Sequence, residues 1–148
     1  HLTDTCLTYF NDWILRGFDK GLLTGLIAID LQKAFDTIDH DILIQKLENY
    51  GIRGITNKWF QSYLKDRKQE IKIGGTLSRE SNVTCGVSQG SILGPILFLI
   101  YINDIKNSSK ILSFFLFADD TSTLLTGKNL KDIERTYNAE INTVARWQ

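Results

Sequence analysis

The chain has 148 residues, of which 43% are hydrophobic and 23% charged, as in an ordinary globular domain. This composition excludes a disordered tail, a collagen-like chain and a coiled coil. The 17 basic and 17 acidic residues cancel, which argues against a protein that coats nucleic acid with its whole surface. Two cysteines and two histidines are too few for a disulfide framework or a structural zinc site.

The first half of the chain alternates helical and strand patterns. In chain order it predicts a helix over residues 2–18, a buried strand over 22–30, helices over about 42–50 and 55–65, and a strand over 70–73. Asp39 or Asp41 is a suitable N-cap for the second helix, and Gly51 stands where a helix commonly ends. The buried strand ends at Asp30.

The second half continues the alternation. It predicts a strand over residues 81–85, a helix over 92–106, strands over 111–118 and 121–125 with Asp119 and Asp120 in the turn between them, and a helix from 129 onward. Because strands and helices do not follow strict βα order, we expect an α+β fold. The expected architecture is an antiparallel sheet with helices packed on one face, with a ferredoxin-like core.

No stretch of the sequence is long and apolar enough to predict a membrane span. The longest apolar runs are shorter than the ~20 residues that cross a bilayer. No signal peptide is visible at the start of the chain. We therefore expect an intracellular domain with no membrane partner. The chain also has no methionine and begins at His1, which suggests an excerpt from a longer reading frame.

Three carboxylates stand at the ends of predicted buried strands. They are Asp30, Asp119 and Asp120. A carboxylate beside apolar strands is costly unless a cation or hydrogen bonds compensate it. If the fold brings the three together, their oxygens suit Mg²⁺ or Mn²⁺, and two such ions support phosphoryl transfer. The alternative is that each aspartate only begins a solvated turn.

Residues 86–91 (GVSQGS) precede a predicted apolar helix. The glycines allow a ligand to approach the backbone, and the free N–H groups at a helix start attract phosphate. The alternative is an ordinary loop and helix cap.

A basic segment over residues 53–72 contains six basic and two acidic residues, interleaved with three aromatic ones. Basic groups neutralise phosphates and aromatic rings stack on bases, so Lys65, Arg67 and Lys68 are candidate nucleic-acid contacts. For the aromatic rings, however, we expect the buried side of a helix, whereas a solvated helix side accounts for at best half of the basic charges.

Together these features occur in an order that resembles the reverse transcriptases of non-LTR (LINE-type) retrotransposons. The three palm motifs of that family are matched by residues 30–40 (DLQKAFDTIDH), 86–104 (GVSQGSILGPILFLIYIND) and 117–121 (FADDT). Residues 64–69 (LKDRKQ) resemble the family's connecting segment. The resemblance covers nearly the whole chain from about Thr3.

The resemblance implies that residues 1–148 are a single palm-domain fragment, with about 1–20 as a leading helix at the junction with the fingers. Most of the fingers and the thumb would lie outside it. The chain would be an internal slice of a longer polyprotein that stops before a lysine-bearing motif of the family. The fragment by itself is therefore expected to be inactive.

The resemblance also implies an activity, which is RNA-directed DNA polymerisation. Asp30, Asp119 and Asp120 would be catalytic and would hold two Mg²⁺ ions, or Mn²⁺ in their place, with the carbonyl of Leu31 as a further metal ligand. A primer 3′-hydroxyl would attack the α-phosphate of a dNTP and release pyrophosphate. The implied partners are an RNA template, a DNA primer or target, and dNTPs.

Further residues receive roles from the same resemblance. Phe35 would lie under the incoming sugar and exclude a 2′-hydroxyl, although a core position is the alternative for this ring. Gln89 and Gly90 would contact the nucleotide and the template base. Ser88 stands where the family has proline, which predicts a looser loop.

Two other functions remain open from the sequence. One is a catalytically inactive fragment derived from a retrotransposon, because a decayed element can keep its aspartates. The other is an RNA-directed RNA polymerase, against which Phe35 argues. For an active element the family implies a location in the nucleus, the cytoplasm or both.

Overall fold

The computed structural model describes residues 2–147 and has an α+β fold of helices and antiparallel strands. The elements in chain order are α1 Leu2–Asp19, β1 Leu23–Asp30, α2 His40–Asn49, α3 Gly54–Leu64, β2 Lys68–Gln69, β3 Lys72–Ile73, β4 Thr76–Leu77, β5 Ser81–Asn82, α4 Leu93–Ile102, a 3₁₀ turn Ile105–Ser108, β6 Ser113–Phe117, β7 Asp120–Gly127 and α5 Leu130–Val144. No helix within residues 2–147 is long and apolar enough to cross a membrane.

The chain divides into two compact units, each with its own core. The first unit contains the residues up to Gln32 and those from Asn103 onward, and the second is Lys33–Ile102. The buried apolar residues of the first unit include Ile105, Leu112, Leu124, Leu125, Ile133, Tyr137 and Val144. Those of the second include Ile38, Leu43, Leu47, Leu64, Leu97, Phe98 and Ile102.

The first unit is built on a three-stranded antiparallel sheet in the order β1-β7-β6. All eight residues of β1 pair with β7, from Leu23 opposite Gly127 to Asp30 opposite Asp120. β6 and β7 form a hairpin in which Phe117 pairs with Asp120. The predicted strands at 22–30 and 111–118 are therefore confirmed within two residues. Asp120 begins β7 and does not lie in the turn with Asp119 as predicted.

Helices cover both faces of this sheet, so the prediction that they pack on one face is wrong. On one face, a Cβ added to Gly25 would lie 2.6 Å from the Ile133 side chain of α5. On the other face, a Cβ added to Gly17 of α1 would lie 3.1 Å from the Thr24 hydroxyl. Adjacent strand residues point to opposite faces. The strands bear apolar residues on both faces. A nearly continuous apolar sequence of this kind does not indicate which face of the sheet a helix covers.

The second unit begins with two helices whose ends follow the sequence closely. Asp39 is the N-cap of α2, where its Oδ1 accepts a hydrogen bond of 2.9 Å from the Ile42 N–H. Such a cap satisfies one of the free N–H groups of the first turn. Gly51 follows the helix at φ 88°, a conformation that favours glycine. Both features were predicted.

The strands of the second unit are shorter than predicted. The expected strands at 70–73 and 81–85 are reduced to two-residue ladders, with β2 paired to β5 and β3 paired to β4. All of these residues are exposed, so the strands have no buried apolar face that would stabilise a longer ladder. The helix predicted over 92–106 ends at Ile102, and a separate 3₁₀ turn follows it.

The Tyr137 side chain joins α5 to two neighbouring strands of the sheet. Its hydroxyl lies 2.8 Å from the Thr123 carbonyl oxygen of β7 and 3.0 Å from the Gly25 carbonyl oxygen of β1, and it donates to them. Burial raises the pKa of this phenol above its ordinary value of 10.0. The folded state therefore holds the phenolic proton more tightly than the unfolded state does.

We expect Tyr137→Phe to lower the free energy of unfolding near neutral pH by about 1 kcal/mol, because a buried hydrogen bond is lost. In the wild type, the contribution of the raised pKa is fully present below pH 10.0 and is lost as pH rises through the folded-state pKa. The difference between the two proteins should therefore shrink above pH 10. Urea titrations at pH 7, 9 and 10.5 measure it. A constant difference at all three pH values would contradict the assignment.

Candidate active site

The pairing of β1 with β7 brings two of the three predicted aspartates together. Asp30 and Asp120 are direct partners at the end of the ladder. Directly opposite residues in an antiparallel pair place their Cβ atoms about 4.5–5.5 Å apart on one face. Two carboxylates in that position repel each other, so this end of the sheet favours a bound cation.

The third aspartate lies in the two-residue turn that joins β6 to β7. Ala118 and Asp119 form this turn, and Ala118 has φ 51°. A left-handed conformation at a residue other than glycine costs about 1–3 kcal/mol. The first position of such a tight hairpin turn usually needs glycine when φ is positive there. The hairpin that carries Asp119 and Asp120 is therefore a strained segment.

All three aspartates are exposed, and Leu31 follows directly after β1. Within residues 2–147, no group of three histidine, cysteine, aspartate or glutamate side chains stands close enough to hold a metal ion. The structure therefore pairs Asp30 with Asp120 and places Asp119 beside them along the chain. A three-aspartate cluster with two ions and a Leu31 ligand stays a prediction.

An apolar cavity adjoins Asp120 on the face of the sheet that carries the Asp120 side chain. It has a volume of about 260 Å³ and is lined by Cys6, Leu7, Phe10, Phe115, Phe117, Asp120 and Ser122. The rings of Phe10 and Phe115 meet edge to face with centroids 5.4 Å apart. The contribution of α1 to this surface was missed because helical spacing shows that a helix is amphipathic without showing which sheet face it covers.

In the second unit, the glycine-rich loop is hydrogen-bonded to the segment that carries Phe35. The Gly86 N–H donates to the Ile38 carbonyl at 2.7 Å, and the Val87 N–H donates to the Phe35 carbonyl at 2.8 Å. The His40 ring nitrogen Nε2 lies 2.7 Å from the Gly86 carbonyl oxygen. Parts of two of the resembling motifs, residues 33–40 of the first and 86–91 of the second, are thereby held against each other.

Gly86 is required at its position for two reasons. Its φ is 84°, and an added Cβ would lie 2.8 Å from the backbone of Asp36. A backbone neighbour cannot move aside as the end of a flexible side chain can. The close approach that glycine allows is therefore used here for contact between two loops of the chain.

Phe35 and Gln89, predicted nucleotide contacts, lie in the same unit, and Gln89 contacts Asp36, the chain neighbour of Phe35. The Gln89 Nε2 donates to the Asp36 Oδ1 at 3.0 Å. Phe35 is half-buried, and its ring packs against Phe98 with centroids 4.9 Å apart. Gly90 is exposed at φ 81°. The core alternative for Phe35 is thus partly realised, since Phe98 covers part of its ring.

A cleft of about 660 Å³ opens beside this loop within the second unit. Its lining includes the basic residues Lys33, Arg67 and Lys68, the acidic Asp36, and Gln89. Lys68 is paired with Glu80 at 2.6 Å, which partly offsets its charge. Lys65 is exposed and is not part of the lining. Of the three predicted nucleic-acid contacts, Arg67 and Lys68 therefore share the cleft.

The aromatic residues of the basic segment are less buried than residues on the core-facing side of a helix usually are. Trp59 is 53% exposed and stacks on Tyr63 at a centroid distance of 5.5 Å. The Arg67 guanidinium lies 6.0 Å from the centroid of the Tyr63 ring. The prediction that the aromatic rings lie on the buried side of the helix is therefore wrong for Trp59.

Known proteins with similar sequences agree with the resemblance seen in the motifs. The family described as "Reverse transcriptase (RNA-dependent DNA polymerase)" matches residues 11–148. The chain is 29% identical to the "Probable RNA-directed DNA polymerase from transposon BS" of Drosophila melanogaster, over 90% of this chain and 16% of the relative. It is 30% identical to the "Probable RNA-directed DNA polymerase from transposon X-element" of the same species, over 81% of this chain and 14% of the relative.

A third relative is the "RNA-directed DNA polymerase from mobile element jockey" of Drosophila funebris, which is 28% identical over 76% of this chain and 13% of the relative. The chain spans less than a fifth of the length of each of these three proteins.

The paired carboxylates predict a divalent-cation response. Without metal and at low salt, Asp120→Asn should raise the free energy of unfolding by about 0.5 kcal/mol, because a like-charge pair is removed. Saturating Mn²⁺ should stabilise the wild type through preferential binding to the folded state, and should stabilise Asp120→Asn much less. Thermal unfolding with and without Mn²⁺ measures both effects.

The matched control is Glu134→Gln, which neutralises an exposed carboxylate on α5. It should leave the Mn²⁺ response unchanged. Equal stabilisation of the wild type and Asp120→Asn by Mn²⁺ would exclude Asp120 as a cation ligand.

Proposed function

The chain belongs to the reverse transcriptase family, in the branch of non-LTR retrotransposons, and on that premise we propose that it is the palm core of an RNA-directed DNA polymerase. The observation that carries the proposal is the cross-strand pairing of Asp30 with Asp120, next to a strained turn that presents Asp119. Two carboxylates come from paired strands that are far apart in sequence, and a third lies in the adjoining turn. Together they are a suitable donor set for the divalent cations of phosphoryl transfer.

We propose that Asp30, Asp119 and Asp120 bind divalent cations, Mg²⁺ or Mn²⁺, with the Leu31 carbonyl as an added ligand. The donor set fits this role because it offers only oxygen atoms and because the aspartates are exposed at one end of the sheet. When bound, such ions stabilise the attacking and leaving oxygens of a nucleotidyl transfer. The three carboxylates concentrate negative charge at this end of the β1–β7 pair.

The proposed nucleotide contacts are Phe35, Gln89 and Gly90. Phe98 supports one side of the Phe35 ring, so that ring has a fixed surface to place against a sugar. A fixed ring excludes a 2′-hydroxyl by contact, which favours dNTPs over rNTPs. The side-chain amide of Gln89 and the backbone of Gly90 are both exposed and accessible to a nucleotide or a template base.

The proposed nucleic-acid contacts are Lys65, Arg67 and Lys68, which would neutralise phosphates of an RNA template and a DNA primer. We also propose that the chain is one palm domain, that fingers and thumb belong to other segments, and that the enzyme acts inside the cell. Support comes from the family match and from relatives several times longer than this chain.

We expect the full-length protein that carries this segment to extend a DNA primer on an RNA template with Mg²⁺ and dNTPs. Asp119→Ala should reduce the rate by at least about a thousandfold, because preorganised charge stabilisation at the reacting phosphate is lost. Glu134→Ala is the matched surface control and should retain full activity. Residues 1–148 alone should show little or no synthesis.

Incorporation undiminished by Asp119→Ala would exclude the proposed metal ligand. Complete inactivity of the full-length wild type would favour an inactive retrotransposon fragment. A preference of the wild type for rNTPs would favour the RNA polymerase alternative.

Phe35→Val should raise rNTP incorporation relative to dNTP incorporation by at least about tenfold, because the smaller side chain no longer contacts the 2′-position. Phe35→Tyr keeps the ring and should keep the preference for dNTPs. The ratio of kcat/KM for dGTP and GTP measures the effect. An unchanged ratio in Phe35→Val would leave only a packing role against Phe98.

A further inference from the structure

The loop between Gly86 and Gly90 is bounded by two glycines that adopt positive φ. Gly86 has φ 84° and Gly90 has φ 81°. An added Cβ at Gly90 would meet nothing within 4 Å. Glycine adopts such conformations readily, and it loses the most conformational entropy when it is fixed. Val87 is buried and its N–H donates to the Phe35 carbonyl, so Ser88 and Gln89 are the residues between the glycines whose orientation depends on side-chain contacts.

Ser88 supplies those contacts at the middle of the loop. Its Oγ accepts a hydrogen bond from the Arg67 Nη2. Its carbonyl oxygen accepts a hydrogen bond of 2.8 Å from the Ser91 hydroxyl, and the Ser91 hydroxyl accepts one of 2.9 Å from the Gly94 N–H in the first turn of α4. An added Cβ at Gly94 would lie 2.7 Å from the Ser88 carbonyl oxygen, so α4 begins in direct contact with the loop.

Arg67 is a firm support for this bond because its own backbone is held. Its carbonyl accepts a hydrogen bond of 2.8 Å from the Val83 N–H, next to the β2–β5 ladder. Its guanidinium lies near the Tyr63 ring and is partly buried. A bond from a charged donor is worth more than one between neutral groups. Arg67 therefore ties the loop to a separate part of the same unit.

We propose that Ser88 is a positioning residue, whose bond with Arg67 fixes the glycine-bounded loop so that Gln89 and Gly90 keep the orientation needed for nucleotide binding. This deepens the proposed function and rests on it for the kinetic consequence. Proline would restrict the same position covalently through its ring. On this proposal a serine and an arginine restrict the loop with a hydrogen bond, and amide exchange decides between that restriction and the looser loop predicted from the absence of proline.

Amide hydrogen exchange in the 148-residue chain tests the loop claim without any need for activity. Ser88→Ala and Arg67→Gln should each accelerate exchange of the Ser91 N–H, which donates to the Ser88 carbonyl at 3.3 Å, by about tenfold, as expected when a bond to a charged group is lost. The double variant should show no further acceleration, because both changes remove the same bond. Ser88→Thr keeps the hydroxyl and should exchange like the wild type.

Unchanged exchange in Ser88→Ala would overturn the proposal. It would also fail if the effects of Ser88→Ala and Arg67→Gln multiplied in the double variant, since the two residues would then act independently.

Steady-state kinetics of the full-length protein test the positioning role. Ser88→Ala should raise the KM for dNTPs several-fold with kcat nearly unchanged, and Ser88→Pro should restore the KM by restricting the backbone directly. An unchanged KM in Ser88→Ala, despite faster exchange, would refute the positioning role. If the wild type polymerises nothing, the proposed function fails, and the exchange experiment still decides whether Ser88 fastens the loop.

Discussion

The antiparallel pairing of β1 with β7 is the constraint on which the candidate site depends. It joins strands that are far apart in sequence and sets Asp30 opposite Asp120. A shift of one residue would turn every side chain of β1 to the other face of the sheet. Helix α5 opposes such a shift, because Ile133 and Tyr137 fill the space above Gly25 and the Tyr137 hydroxyl bonds carbonyls of both strands. The packing of one helix thus sets the position of the carboxylates.

The same register has a cost that suggests what the site is for. Opposed carboxylates destabilise a ladder, and the neighbouring turn carries additional strain at Ala118. A fold selected only for stability has no need of either feature. Both become useful if a cation lies between the strands and if Asp119 must be presented by a tight turn. Strained, charged sites of this kind are typical of active sites, and the rest of the unit offsets them through buried packing.

Local features of the fold and the site could be predicted from the sequence, whereas contacts between distant segments could not. The strand ending at Asp30 and the N-cap at Asp39 follow from apolar patterning and side-chain chemistry that act over a few residues. The placement of α1 on the second face of the sheet depends on tertiary packing, which periodicity does not encode. The bond between Arg67 and Ser88 likewise joins segments that only the folded chain brings together.

The most direct test of this account is iron-directed cleavage of the backbone. Fe²⁺ bound in place of Mg²⁺ reduces added hydrogen peroxide to hydroxide and a hydroxyl radical, which cuts the chain beside the ligands of the iron, and added ascorbate returns the Fe³⁺ to Fe²⁺. A shared cation site predicts two cleavage positions, one near Asp30 and one near Asp119 and Asp120, and predicts that Asp30→Asn removes both together. Cleavage confined to one of the two strands, or cleavage that persists on β7 after Asp30→Asn, would contradict a shared cation site across the β1–β7 pair.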